Sequence, residues 1–265
     1  MQIGFLILLF IIGACLGSFL CCQARRLHLK ATAKRGTKSQ LGPRSVCLHC
    51  HYQLKWYDNI PIFSWLALKG KCRKCHHRIS FGEIISELGL ALAFLALGFT
   101  IDVASSSILA WSILLAVLVL TTILGFLAIY DGLYGELSLR YLIVSICLAL
   151  IVLALQETLI LHDSTFSAEC IYYPIISVLI LGGLYLLLYL ISRGQWVGDG
   201  DWLLATSIGL AIFHPWFALG ILFLSNFLAL IVMFPYVKKS KNHHIYFGPF
   251  LVIAFIIAYV IMNLW

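Results

Sequence analysis

The stretch Ile108–Tyr130, ILAWSILLAVLVLTTILGFLAIY, decides the class of fold because it is apolar along nearly its whole length. A helix needs about 20 such residues to cross the hydrocarbon core of a bilayer. Similar runs occur along the whole chain, and together they predict an all-α polytopic membrane protein with about eight transmembrane helices. The runs are Ile3–Cys22, Ile84–Ile101, Ile108–Tyr130, Tyr141–Leu161, Ile171–Ser192, Trp202–Phe213, Phe217–Tyr236 and Phe247–Trp265. The sixth is the shortest and the least certain to cross.

The composition supports this class. Of the 265 residues, 62% are hydrophobic and 11% are charged, whereas soluble domains carry about 25% charged residues. This excludes a soluble enzyme, a disordered tail and a secreted disulfide scaffold. The net charge of +7 does not indicate a nucleic-acid partner, because in a membrane protein the position of Lys and Arg matters more than their sum.

The basic residues are unevenly distributed. Of the 18 Lys and Arg, 13 lie between Arg25 and Arg78. With eight crossings and the N-terminus outside, the other five fall on the same side of the membrane, and the positive-inside rule makes that side cytoplasmic. They are Arg140, Arg193, Lys238, Lys239 and Lys241.

The sequence therefore predicts one multi-pass domain (1–265) of the inner (plasma) membrane. It has a cytoplasmic insert (23–82) and a membrane core (84–265). The first run lacks a basic leading region and is followed by basic residues, so we expect an anchor rather than a cleaved signal peptide.

Two Cys-x-x-Cys pairs stand in the insert, Cys47 with Cys50 and Cys72 with Cys75. Each pair supplies two corners of a tetrahedron, so the four thiolates predict a closed, structural zinc site. Disulfides or free thiols are the alternative, but the cytoplasm keeps thiols reduced. Four cysteines saturate zinc, so we expect the neighbouring histidines to be solvated; they are His49, His51, His76 and His77.

Acidic residues are scarce, and some of them occur at two positions that the predicted topology puts at the cytoplasmic edge of the membrane. Asp131 follows the third run, and Asp199 and Asp201 stand in Gly198–Asp201 before the sixth. Helix capping explains one such residue well. Two carboxylates at similar depth can instead share one proton and act as acid and base, which is the chemistry of aspartic proteases. Spacing alone does not separate Asp199 from Asp201.

These motifs resemble those of the type IV prepilin peptidases, in the same order along nearly the whole chain. The resemblance is carried by Gly17–Phe19, Cys47–Cys75, Ile79–Ser80, Glu87–Leu88, Gly198–Asp201 and Phe247–Leu251. It departs from the family pattern at Gly135–Ser138, where a Leu-Pro-Asp-like turn is usual, and at Leu203, where Lys is usual.

The resemblance implies a bifunctional enzyme. It would remove the leader of type IV prepilins or pseudopilins on the cytoplasmic side, with Asp131 and Asp201 as the catalytic pair and Cys47, Cys50, Cys72 and Cys75 as the cysteine motif. It would then N-methylate the new N-terminus using S-adenosylmethionine, whose site no motif in the sequence indicates. The alternatives are a peptidase without methylation, a transporter that uses the aspartates as ion ligands, and a scaffold whose zinc knuckle only docks partners. Prepilins and the lipid bilayer are the expected partners; the oligomeric state is not predicted.

The insert also carries an apolar group of residues formed by Trp56, Trp65 and Ile60–Phe63. We expect these residues to form the insert's small core. Docking on the membrane surface or on a substrate helix is the alternative.

Overall fold

The computed structural model describes residues 2–32, 45–47, 49–103, 107–163, 169–194, 197–237 and 246–264, with side chains described outside 160–171 and 233–237. Lys238, Lys239 and Lys241 lie outside the described residues. Within them the regular structure is helical, with two isolated β-bridges. The helices are α1 (Gln2–Thr32), α2 (Phe63–Ala67), α3 (Phe81–Gly98), α4 (Ile108–Tyr134), α5 (Leu139–Asp163), α6 (Glu169–Val178), α7 (Leu184–Ser192), α8 (Asp201–Ile212), α9 (Pro215–Val237) and α10 (Gly248–Leu264).

Among the described residues, six helical segments are long and apolar enough to cross a membrane. They are α1, α3, α4, α5, α9 and the continuous segment formed by α6, a π-helical turn at Leu179–Gly183 and α7. The helices α8 and α10 are apolar but have 12 and 17 residues, or about 18 and 25 Å of helix. The predicted all-α membrane class is confirmed, and the count of eight crossings stays a prediction.

The helix ends differ from the ends of the apolar runs. The first run stops at Cys22, but α1 continues to Thr32 and enters the predicted insert. Arg25 and Lys30 belong to a residue class that forms helices nearly as well as leucine does. Hydropathy therefore detects the membrane-compatible part of this helix and not its end. Likewise, α4 continues to Tyr134, so Asp131 lies inside the helix rather than after it.

The chain divides into two compact units, the N-terminal unit (Ile3–Leu95) and the C-terminal unit (Met1–Gln2 with Ala96–Trp265). In the N-terminal unit, two glycines of α1 let it pack very closely on α3. A Cβ added at Gly13 would lie 2.6 Å from the Leu90 carbonyl oxygen, and one at Gly17 would lie 2.4 Å from that of Ser86. Small residues four positions apart are a common way to bring two membrane helices together.

In the C-terminal unit, α8 is the central helix and packs against α5, α6, the π-helical turn and α10. Leu204, Ile208 and Ile212 on it are fully buried. A Cβ at Gly209 would lie 3.0 Å from the Ser177 carbonyl oxygen, so α8 and α6 also approach closely. Because α4 packs on both α5 and α10, the end of α4 and the start of α8 share two neighbours.

Candidate active site and metal centre

Asp131 lies in the last turn of α4, which ends at Tyr134 and is followed by Gly135. Gly135 has a left-handed backbone (φ 68°), and its N–H donates to the Asp131 carbonyl at 2.7 Å, as glycine commonly does after a helix. The Asp131 side chain is buried, and one of its carboxylate oxygens accepts a hydrogen bond from the Gly248 N–H at 2.9 Å. The N–H of Gly248, the first residue of α10, therefore fixes the Asp131 carboxylate at the end of α4.

Asp201 is the first residue of α8 and is also buried. One of its carboxylate oxygens accepts a hydrogen bond from the Gly198 N–H at 3.0 Å. The intervening Gly200 has no room for a side chain, since a Cβ there would lie 2.5 Å from the Leu137 Cβ. The Gly198–Asp201 turn thus packs on the segment between α4 and α5.

Asp131 and Asp201 lie close enough for their charges to interact. In each aspartate, one carboxylate oxygen accepts a hydrogen bond from a glycine N–H. The second oxygen of each carboxylate has no hydrogen-bond partner in the described part of the chain. Asp199 differs, because it is exposed and contacts the Tyr189 hydroxyl. The geometry therefore favours Asp201 as the partner of Asp131.

Two residues near this pair were not singled out from the sequence. Gly248 was noted only as part of a motif, without a role, and Tyr185 was not noted. Tyr185 is buried, its hydroxyl accepts a hydrogen bond from Asn226 at 3.2 Å, and its ring packs on Phe247 at 5.3 Å. It is near enough to Asp201 for electrostatic interaction. For Gly248, the sequence signal was a Gly-Pro dipeptide at the start of an apolar run. For Tyr185 there was no signal, because a single tyrosine in an apolar helix is common.

The four cysteines of the insert come together in one group, the cysteine cluster (Cys47, Cys50, Cys72 and Cys75). All four sulfur atoms lie within 4.8 Å of one another, with 3.8 Å between Cys47 and Cys75 and 3.9 Å between Cys50 and Cys72. A zinc ion with Zn–S bonds of about 2.3 Å has sulfur–sulfur edges of about 3.8 Å in a tetrahedron. The cluster therefore has the size and the donor set of a four-thiolate metal site.

Each cysteine pair sits in the same kind of turn. In the first, the Cys47 N–H donates to Tyr52 and its carbonyl accepts from His51; in the second, Cys72 makes the same two bonds with His77 and His76, all at 2.9–3.0 Å. The N–H groups of Cys75 and Lys74 also point at the Cys72 thiol and lower its pKa to about 7. These two donors favour the thiolate form of Cys72, which is the form that a metal binds.

The side chains around the cluster only partly follow expectation. The four neighbouring histidines are exposed, as predicted, and His49 and His77 stack at 4.5 Å. Trp65 is half-buried and packs on Phe81 at 5.4 Å. Trp56 and Phe63 are 79% and 74% exposed, so the core interpretation is wrong for them. The buried Asp58 carboxylate forms an ion pair with the Arg73 guanidinium at 2.8 Å and accepts a hydrogen bond from the Lys55 N–H at 3.2 Å.

Comparison with known proteins gives concordant matches. A model of the bacterial peptidase A24 N-terminal domain matches residues 11–101. The prepilin leader peptidase/N-methyltransferase of Vibrio cholerae is 31% identical over 275 residues, covering 100% of both chains. The Aeromonas hydrophila protein of the same name is 32% identical over 80% of this chain and 69% of its own length. That of Myxococcus xanthus is 41% identical over 35% of this chain and 25% of its own length. No solved structure shows significant similarity. The chain belongs to the prepilin leader peptidase/N-methyltransferase family.

Proposed function

We propose that this protein is a membrane aspartyl endopeptidase that removes the leader of type IV prepilins or pseudopilins on the cytoplasmic side. The relatives' names supply the reaction. The observation that carries the mechanism is the pair Asp131 and Asp201, two buried carboxylates on different helices, each held by one glycine N–H. Two such groups cannot both ionise cheaply, so they share a proton.

The helix ends support separate roles for the two carboxylates. Asp201 lies at the N-terminus of α8, where the helix dipole favours a negative charge. Asp131 lies in the last turn of α4, where the dipole disfavours one. We therefore assign the ionised base to Asp201 and the protonated acid to Asp131 at the start of the reaction.

In the cleavage step, Asp201 takes a proton from a water molecule as the water oxygen attacks the scissile carbonyl carbon. Asp131 donates a hydrogen bond and then its proton to the carbonyl oxygen. Collapse of the tetrahedral intermediate breaks the C–N bond, and the leaving amine takes a proton from the pair. The glycine N–H groups keep one oxygen of each carboxylate fixed, which leaves the other for water and substrate.

The second half of the proposed activity is N-methylation of the new N-terminus with S-adenosylmethionine, which supplies the methyl group on a sulfonium centre. The cysteine cluster would hold a structural zinc ion, since four thiolates leave no open position for substrate. Its role would be to fold the insert. Inner-membrane location, with the N-terminus outside, belongs to the same proposal and is supported by the distribution of basic residues.

The test is cleavage of a purified prepilin by the full chain and its variants, with product masses measured. Asp131→Asn and Asp201→Asn should each abolish cleavage, because an amide cannot transfer the proton. Asp199→Asn is the matched control and should keep most of the activity. Cleavage by Asp131→Asn at the parent rate would exclude the aspartyl mechanism. An inactive Asp199→Asn with an active Asp201→Asn would leave the mechanism but reverse the assignment.

Product masses also distinguish the alternatives. A product that is cleaved but not methylated in the presence of S-adenosylmethionine would identify a peptidase without methyltransferase activity. Ion transport in proteoliposomes that requires both aspartates, without cleavage, would identify a transporter. A transporter would hold such acids near the bilayer midplane, whereas the topology expected from the basic residues puts both carboxylates at the cytoplasmic edge.

A further inference from the structure

The N-terminal unit contains a cavity that the peptidase mechanism does not use. Its volume is about 380 Å³, within the range of small-molecule sites. It lies beside the cysteine cluster and between residues of α1, α3 and the insert. We name it the donor cavity, and the side chains that matter in its lining are Ser18, Arg25, Asp58, Trp65, Glu83 and Glu87.

Within the described ranges, one carboxyl group of the donor cavity has no cationic partner. Asp58 is paired with Arg73, and Glu83 is paired with Arg25. Glu87 is 8% exposed and has only neutral donors, the Ile62 N–H at 2.7 Å and the Ser18 hydroxyl. No cationic side chain in the described ranges forms an ion pair with it. A buried carboxylate without a cation is costly, and a cationic ligand would remove that cost.

The backbone that faces Glu87 is strained. Ile62 has φ 63° and ψ −54°, and the Phe63 N–H donates to the Pro61 carbonyl at 2.6 Å, which forms a γ-turn. A β-branched residue with positive φ is a genuine outlier, and this kind of γ-turn is rare. Backbone strain of this kind clusters at functional sites. Here it directs the Ile62 N–H to the Glu87 carboxylate and fixes that group in place.

Trp65 also lines this cavity. Its ring packs on Phe81 and lies against Gly70, where a Cβ would be 2.8 Å from the indole. Gly70 has φ +66° and so has two reasons to be glycine. The Trp65 indole N–H is buried and has no acceptor among the described residues. Buried indole N–H groups usually find a partner, so a ligand with an acceptor atom would complete the site.

We infer that the donor cavity binds S-adenosylmethionine, with a cationic group of the donor at Glu87 and an acceptor atom at Trp65. This inference rests on the methyltransferase half of the proposed function. S-adenosylmethionine has a sulfonium and an ammonium group, and its adenine nitrogens and carboxylate are acceptors. A carboxyl group without a cationic partner and an indole N–H without an acceptor, both among the described residues that line a cavity of small-molecule size, match this set. The amine of a processed pilin is also cationic, but it belongs to a whole polypeptide, and a cavity of about 380 Å³ has room only for its end.

The test measures equilibrium binding of labelled S-adenosylmethionine to the purified, zinc-loaded full chain in the absence of pilin. Trp65→Phe keeps an aromatic ring and should weaken binding about fivefold through loss of one hydrogen bond. Its matched control, Trp56→Phe, changes an exposed indole of the same insert and should stay within about twofold. Glu87→Gln should weaken binding tenfold or more, since a charged partner is lost. Glu136→Gln, an exposed residue of the other unit, is its control.

Photocrosslinking of the labelled donor to the parent protein removes dependence on variant folding. Label on peptides that contain Trp65 or Glu87 supports the inference, and label confined to Ala96–Trp265 overturns it. Parent-like binding by both Trp65→Phe and Glu87→Gln, with normal zinc content, also overturns it while the methyltransferase proposal stands. A parent protein that binds no donor overturns both. Variants that lose affinity only for a processed pilin peptide would assign the cavity to the acceptor and overturn the donor site.

Discussion

The cysteine cluster and the aspartate pair bring polar groups together in opposite ways. In the N-terminal unit, each half of the cluster comes from one short turn, and the two halves are joined by a short stretch of the insert. In the C-terminal unit, Asp131 and Asp201 come from the end of one helix and the start of another, and Gly248, 117 positions after Asp131, completes the site. The first site depends on local turn geometry, and the second on the packing of α4, α5, α8 and α10.

The largest expected effect comes from the double variant Asp131→Asn/Asp201→Asn. Each single change should lower the cleavage rate by about 10³-fold, and the double change should cost little more because the carboxylates act as a unit. Zinc content should equal that of the parent. Cleavage rates by product mass and metal analysis of the same samples check this. Loss of zinc in either single variant would contradict the separation of the two sites.

A smaller but clear effect is expected from Cys72→Ser, which removes a buried thiol of the cluster. The protein should lose its metal, and the insert should be cut by protease about tenfold faster because metal binding and folding are linked. Cys147→Ser, an exposed cysteine outside the cluster, is the matched control and should change neither property. A compact insert in metal-free Cys72→Ser would remove the metal's proposed role.

Gly248→Ala tests the long-range part of the aspartate site. An added Cβ would lie 2.9 Å from an Asp131 carboxylate oxygen, so the backbone must shift and the hydrogen bond must weaken. We expect a loss of about tenfold in cleavage rate, or about 1.4 kcal/mol in the barrier. Gly220→Ala in the same unit meets no atom within 4 Å and should leave the rate unchanged. Equal rates for the two variants would show that the Gly248 contact is dispensable.

The smallest effect is expected at the ion pair between Asp58 and Arg73. Arg73→Gln removes a guanidinium that is half-exposed and therefore screened by solvent, while the buried Asp58 keeps its hydrogen bond from the Lys55 N–H. Protease cleavage of the insert should accelerate by about threefold, with zinc retained. Lys74→Gln, which alters a neighbouring exposed cation, should have no effect. If protease cleavage accelerated as much as in Cys72→Ser, this ion pair, and not the metal, would hold the insert together.

The sequence predicted those features that depend on composition or local spacing. Apolar runs predicted the helices, and the Cys-x-x-Cys spacing predicted a cluster that the structure brings together. The pairing of Asp131 with Asp201 rested on the family resemblance, because no local rule determines how α4 and α8 are placed. The Gly248 contact and the γ-turn at Ile62 could not be predicted. The first depends on tertiary packing, and the second contradicts the preference of a β-branched residue for negative φ.

The matched turns of the cysteine cluster have a consequence for metal supply. His51 and His76 occupy equivalent positions and both have φ 54°, a left-handed conformation that costs a residue with a side chain about 1–2 kcal/mol. With glycine at these positions, the turns would close more readily on their own. With histidine, a bound ion would have to offset the cost of both turns, so the loaded and empty forms should differ sharply. We expect chains made in zinc-starved cells to reach the membrane with an unfolded insert and to recover when the metal returns.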